Sequence, residues 1–185
     1  MANKVIAIVG LSGTGKSVAT EYLKNTHQLT SIYFGGYVLD EVKKRGLEVN
    51  SSNERIVRED LRAVNGMDAI AKLAITEIDT LLKKGKPIII DGLYSFTEYI
   101  FLKNSLHEQL VLIATHSEKA IRYERLAKRP VRPLTKEEVE KRDFLEIAMI
   151  EKGGPIAIAD HHILNDKDET FLYSQLDHIV KKIGL

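Results

Sequence analysis

Val5-Ile6-Ala7-Ile8-Val9-Gly10-Leu11-Ser12-Gly13-Thr14-Gly15-Lys16-Ser17-Val18 runs from an apolar segment straight into a glycine-rich turn. Five consecutive apolar residues suit a strand buried on both faces, as in a parallel sheet. The eight residues from Gly10 to Ser17 then match G-x-x-x-x-G-K-[ST] without a mismatch. They do so where that motif needs to lie, after a strand and at the opening of a helix. Its glycines let the backbone wrap until successive N–H groups point inward at phosphate oxygens, and the helix N-terminus adds its positive dipole end. Lys16 is placed to reach the β and γ phosphates and Ser17 to offer a hydroxyl to magnesium. The expected contacts with a nucleotide tail are therefore Gly10, Leu11, Ser12, Gly13, Thr14, Gly15, Lys16, Ser17 and Val18.

Working outward, similar apolar runs occur at residues 88–90 and 110–114, with weaker ones at 31–34 and 162–164. Helical patterns lie between them at 16–25, 37–45, 54–64, 67–84, 95–105, 117–129, 135–152 and 169–183. Five short strands alternating with helices predict an α/β fold: a three-layer, doubly wound parallel sheet covered on both faces. Residues 35–86 hold about three helices, more than a simple crossover needs. Residues 117–155 hold two helices separated by Pro130-Val131-Arg132-Pro133, a break no helix would run through. The second carries a capping box, Thr135 with Glu138, and is expected to end at Gly153-Gly154-Pro155. Both stretches read as helical insertions over the carboxyl edge of the sheet, where ligands of open α/β sheets sit.

A chain of 185 residues suits a single domain. Lys plus Arg number 27 and Asp plus Glu 26, so the net charge of +1 offers no broad footprint for nucleic acid or an acidic membrane. Hydrophobic residues at 44% and charged residues at 29% indicate a globular chain rather than a disordered one. With no cysteine, disulfides, thiolate metal sites and cysteine nucleophiles are excluded together. Met1-Ala2-Asn3-Lys4 leaves no room for a secretory core, and no apolar run approaches the roughly 20 residues needed to span a bilayer. A cytoplasmic protein without nucleic-acid or membrane partners is expected.

Ile88-Ile89-Ile90-Asp91 places a carboxylate at the end of a strand, suited to organising magnesium or water beside a phosphate loop. Arg122, Arg125 and Arg129, spaced i, i+3, i+7, share one helical face, with Arg132 and Arg142 further on. This cluster is expected to contact phosphates, because guanidinium groups bind phosphate oxygens bidentately. On the acceptor side, Gly35-Gly36 permits close backbone approach, and Arg58 and Arg62 lie one helical turn apart as candidate phosphate ligands. His161 and His162 are adjacent, so on a strand they face opposite sides and cannot chelate one metal. Asn165-Asp166-Lys167-Asp168 has the wrong order for a guanine reader.

The phosphate loop, the Asp-Gly after the third strand and the arginines of 117–155 resemble the P-loop nucleoside monophosphate kinase superfamily. The stretches from Tyr33 to Asp91 and from Arg142 to Asn165 are similar to the adenylate-kinase-related proteins, near relatives of dephospho-CoA kinase. The resemblance spans essentially the whole chain. It implies a five-stranded parallel sheet, an acceptor-binding insertion at about 35–86, a lid at about 117–155, and ATP with Mg2+. Lys16, Asp91, Arg125 and Arg129 would then be catalytic, Arg122 a further nucleotide contact, and Asn165 a neighbour of the adenine. Gly35, Gly36, Arg58, Arg62 and Asp91 would face the acceptor, and Ser17 and Asp91 the metal. One departure stands out: many such kinases carry an arginine shortly after the Asp-Gly, where this chain has Leu93-Tyr94-Ser95. The expected activity is phosphoryl transfer to a nucleoside monophosphate or similar small phosphorylated acceptor. The alternatives are a dephospho-CoA or other hydroxyl kinase, and an ATP-sensing module that hydrolyses slowly or not at all.

Overall fold

The computed structural model describes residues 4–185, so the expectation drawn from the first three residues lies outside the described ones. The chain runs β1 (Val5–Val9), α1 (Lys16–Thr26), β2 (Thr30–Tyr33), α2 (Phe34–Lys44), α3 (Ser51–Asn65), α4 (Ala69–Lys83), β3 (Ile88–Asp91), α5 (Phe96–Leu106), a 3-10 turn, β4 (Leu110–His116), α6 (Lys119–Ala127), α7 (Lys136–Ala148), α8 (Gly153–Ala157), β5 (His161–Leu164) and α9 (Glu169–Ile183). The strands form one sheet in the order β2-β3-β1-β4-β5. Every pairing is parallel, with Val5 opposite Ile88 on one side and Leu110 on the other.

Alternation along the strands sorts the core into two layers. Val5, Ala7, Val9, Ile88, Ile90 and Leu112 pack on one face with α2, α4 and α5, whereas Ile6, Ile8, Ile89, Ile113 and Ile163 pack on the other with α1 and α9. This explains why the strands read as continuous apolar runs: each face has its own helical cover. Ile88, Ile89 and Ile90 are all fully buried, and truncating any one to alanine would cost about 2–5 kcal/mol.

β1 is central, and its neighbours β3 and β4 follow in opposite directions from it. The loop leaving β1 therefore opens at the switch point of the sheet, where crevices form. The three helices α2–α4 join β2 to β3, as the length of that stretch predicted. They are held unevenly: α4 buries six residues, but α3 buries only Val57.

Two expected boundaries move. β2 stops at Tyr33, and Phe34, read as strand, opens α2, so Gly35-Gly36 lie in that helix's first turn. The Tyr33 ring folds back over Gly35 and occupies the space a side chain there would need. α7 keeps its Thr135–Glu138 capping box but ends at Ala148, well short of residue 152. Glu151 then turns through a left-handed conformation (φ 52°), and Gly153-Gly154-Pro155 starts α8 instead of closing α7. Proline in a first turn forfeits no helical hydrogen bond, so this tripeptide is as compatible with a start as with a stop.

Candidate functional site

The turn between β1 and α1 is shaped by glycine and fastened by threonine. Gly13 and Gly15 adopt φ of 85° and 89°, values that L side chains avoid. A Cβ on Gly13 would also lie 2.8 Å from the Arg122 carbonyl oxygen, and one on Gly15 would collide with the Asn165 amide. Thr14 Oγ1 donates to the Leu11 carbonyl (2.9 Å) and lies 2.9 Å from Thr115 Oγ1 of β4. Asn165, at the end of β5 and 5% exposed, donates from Nδ2 to the Thr14 carbonyl (3.0 Å). The loop is therefore tied to both strands on its β4 side.

Lys16 lies in this turn with Nζ 2.9 Å from the Leu11 carbonyl oxygen. Among the described residues no carboxylate forms an ion pair with it. Burial first, then repulsion from Lys152, Arg142 and Arg122, together lower its pKa to about 7 against the attraction of Glu146. A half-buried ammonium among like charges is poorly compensated until an anion arrives. Ser12, Gly13, Gly15, Lys16, Ser17 and Val18 line a cavity of about 690 Å³ together with Arg125, Arg129, Arg142, Lys152, Asn165 and Lys167. That volume lies in the range of small-molecule sites.

Asp91 ends β3 in register with Tyr33. Burial raises its pKa and the Lys16 ammonium pulls it back, so the two groups feel each other across the turn. Ser17 and Asp91 can offer two oxygens to a magnesium ion, which commonly takes one or two protein ligands and the rest from phosphates and water. Among the described residues no group of three or more acidic or imidazole side chains is arranged to hold a metal alone, and this donor set fits an ion delivered with a nucleotide. His116 Nε2 and His162 Nδ1 do meet at 3.0 Å across β4 and β5, a pair between neighbouring strands that adjacency in the chain could not reveal.

The three arginines expected on one face separate. Arg122 is 3% exposed, forms a bidentate pair with Asp143 of α7, and lies outside the large cavity. Arg125 does line the cavity, with Nη1 donating to the Asn165 carbonyl (2.8 Å) and Ser117 Oγ (3.1 Å). Arg129 lines it near the end of α6. An i, i+3, i+7 series spreads over enough of a helix for its first member to face a neighbouring helix while the others face a cleft.

On the α2–α3 side, Arg62 points at Glu98 of α5 (3.6 Å). Glu98 is 1% exposed and accepts from the N–H groups of Tyr94 and Ser95, both at 3.0 Å, in a Ser95–Glu98 capping box. Arg58 is half-buried and close enough to Tyr94 to affect its phenol, whose pKa burial raises. Of Asn165-Asp166-Lys167-Asp168, Asp168 caps α9 and Asp166 accepts from the Glu118 N–H, both structural duties.

Sequence reading placed Arg142 among the arginines but assigned no role to Glu146 or Lys152. Glu146 accepts from Arg142 Nε (2.9 Å) and from Lys152 Nζ (2.7 Å), and it lies 3.4 Å from Ser12 Oγ of the turn. A lone lysine before a Gly-Gly-Pro break carries no motif, so only three-dimensional proximity reveals it.

A glycine-wrapped turn at the centre of a 2-3-1-4-5 parallel sheet, opening on a cationic cavity, defines a kinase-like P-loop protein of α/β class. The comparisons agree. A shikimate kinase from Bacteroides thetaiotaomicron is superposable with a TM-score of 0.60 at 12% identity, covering 98% of this chain and 99% of that one. A gluconokinase from Sinorhizobium meliloti gives 0.55 at 12% identity, covering 98% and 96%. The model of the AAA domain family matches residues 6–163. UPF0200 proteins are similar along nearly the full length: one from Thermococcus gammatolerans is 33% identical over 182 residues (97% of this chain, 95% of the relative), and one from Methanocaldococcus jannaschii is 35% identical over 181 residues (97% and 90%). The chain belongs to the AAA domain family and to the UPF0200 group of proteins.

Proposed function

We propose that the protein is an ATP- and magnesium-dependent kinase that phosphorylates a small molecule. The observation that carries this is Lys16: a half-buried ammonium that forms no ion pair among the described residues, in a glycine-wrapped turn whose cavity is ringed by further cations. Such an arrangement suits a polyphosphate and nothing of neutral or positive charge. Gly10 to Ser17 would hold the donor phosphates, with Val18, Arg125 and Asn165 flanking the nucleoside, and Ser17 with Asp91 the metal. The segment 117–155 would act as a lid whose Arg129 and Arg142 neutralise the phosphoryl group in transit. Closure would exclude water, which otherwise competes as acceptor.

The acceptor would lie against α2 and α3, between Asp91, Tyr94 and Arg58, within the segment 35–86. Arg58 makes no ion pair among the described residues and is the arginine available for an acceptor phosphate. Arg62, turned to Glu98, is better suited to fastening α3 to α5. These features favour a phosphorylated acceptor such as a nucleoside monophosphate. A hydroxyl acceptor is the second reading, in which Asp91, its pKa raised by burial, would act as the base instead of holding the metal. In that case the bond from the terminal phosphorus to the bridging oxygen of ATP breaks, a bond to the acceptor oxygen forms, ADP leaves and the hydroxyl proton passes to Asp91.

The test is an acceptor panel of nucleoside monophosphates, dephospho-CoA and small hydroxyl metabolites, with ATP and then GTP as donor, read as acceptor-dependent ADP release. A stimulated member names the acceptor class. Nucleotide binding with no stimulation by any member would instead support the sensing module.

A further inference from the structure

Lys152 lies in the link between α7 and α8, and its side chain is 1% exposed. The residue before it, Glu151, takes a left-handed conformation (φ 52°). A hydrogen bond from the Phe96 N–H to the Ile150 carbonyl (3.2 Å) fixes the link against the start of α5. Its Nζ is 2.7 Å from Glu146 Oε2 and 5.0 Å from the centre of the Tyr94 ring, and the residue lines the large cavity. Glu146 does not line that cavity; its other oxygen is engaged by Arg142 and approached by Ser12. The ammonium therefore borders the cavity shared by the phosphate turn and Tyr94, which lies beside the proposed acceptor side, while its carboxylate reaches Ser12 of the turn.

Stability alone does not account for this pair. Replacing a buried ion pair with apolar residues of similar volume is often neutral or favourable, and here the ammonium also repels Lys16. Lys16, Lys152, Arg142 and Arg122 meet the carboxylates of Glu146, Asp143 and Asp91 here, which leaves positive charge in excess. A group bearing several negative charges would complete it.

We propose that Lys152 is a second catalytic lysine, which binds the phosphoryl group in transit together with Lys16, and that Glu146 is the positioning residue that holds its ammonium toward the cavity. The role presupposes the phosphoryl-transfer reading above. It differs from the expected arginine-based lid in placing a compact point charge, rather than a planar fork, between donor and acceptor.

The test compares wild type, Lys152→Met, Glu146→Gln and the double variant Lys152→Met/Glu146→Gln. The double variant removes the buried pair together and guards against a single variant that fails to fold with one charge unpaired. Calorimetry with Mg-ADP, and then with Mg-ADP plus fluoroaluminate as a stand-in for the moving phosphoryl, separates ground-state from transition-state binding. Both Lys152 variants should bind Mg-ADP within about twofold of wild type and lose about a hundredfold of the fluoroaluminate enhancement, with a similar loss in kcat and little change in KM for ATP. Glu146→Gln should move the alkaline limb of the kcat profile to lower pH, because the carboxylate that favours the charged lysine is gone. Wild-type fluoroaluminate enhancement in both Lys152 variants would overturn the role while leaving the kinase reading intact. Failure of wild type itself to bind Mg-ADP would sink the kinase reading and this role with it.

Discussion

The phosphate turn and the segment 117–155 face each other across one cavity, yet they are organised by different means. The turn is held by backbone conformation: Gly13 and Gly15 at positive φ, Thr14 and Asn165 fastening carbonyls and hydroxyls within a few ångströms of the sheet. The covering segment is held by charge: Arg122 to Asp143, Arg142 and Lys152 to Glu146, Arg125 to the end of β5. A turn made of contiguous residues acts as a unit wherever the chain places it. A set of arginines does not, because each goes to whatever acceptor its own helix brings within reach. Glycine spacing therefore predicts local geometry more securely than arginine spacing predicts side-chain partners.

The largest effect should come from the turn. Lys16→Ala should lower phosphoryl transfer by about a hundred- to a thousandfold, with circular dichroism unchanged and no large loss of Tm, because the removed charge is one the empty protein tolerates poorly. Retained turnover would break the assignment. Next, Arg122→Ala should destabilise by about 3 kcal/mol, since it leaves Asp143 partly buried without its guanidinium. Chemical denaturation measures this, and a stable variant lacking only activity would return Arg122 to the phosphates. Gly15→Ala should cost about 1–3 kcal/mol through strain at φ 89° and displacement of Asn165. It should also weaken ATP binding, as read by calorimetry; wild-type affinity would show that the turn adapts.

Arg129→Ala sharpens the contrast from the other side. It should reduce kcat by about tenfold or more at unchanged Tm, the reverse of Arg122→Ala. An unchanged rate would remove Arg129 from the mechanism.

The smallest effect concerns protons. With a folded pKa near 7 against an ordinary lysine value of 10.5, Lys16 is largely neutral at pH 8.5 in the empty protein. Bound phosphates would restore its charge, so Mg-ATP binding should take up nearly one proton at pH 8.5 and far fewer at pH 6. Calorimetry in buffers of different ionisation enthalpy reads this directly, and buffer-independent heats at pH 8.5 would contradict it. The same depressed pKa means the penalty for burying the charge is present below about pH 7. It is relieved as the pH rises toward 10.5, so this group by itself makes the empty protein more stable over that interval.

The sheet and its two layers were legible in the amino-acid sequence because a strand segment buried on both faces must be apolar throughout, as residues 5–9, 88–90 and 110–114 are. The turn was legible because its conformation depends on glycines a fixed number of residues apart. Strand β2 and helix α2 were less so: Phe34 is as apolar as a strand residue, and only its packing against the core beneath the sheet assigns it to a helix. The fate of each charged side chain could be decided only by the tertiary structure. Arg122 and Asp143 are 21 positions apart, Ser12 and Glu146 134 apart, and electrostatic partnership depends on distance in space, which no local pattern encodes. Lys152 is the clearest case, an unremarkable lysine by sequence that the fold buries against Glu146 at the edge of the phosphate cavity.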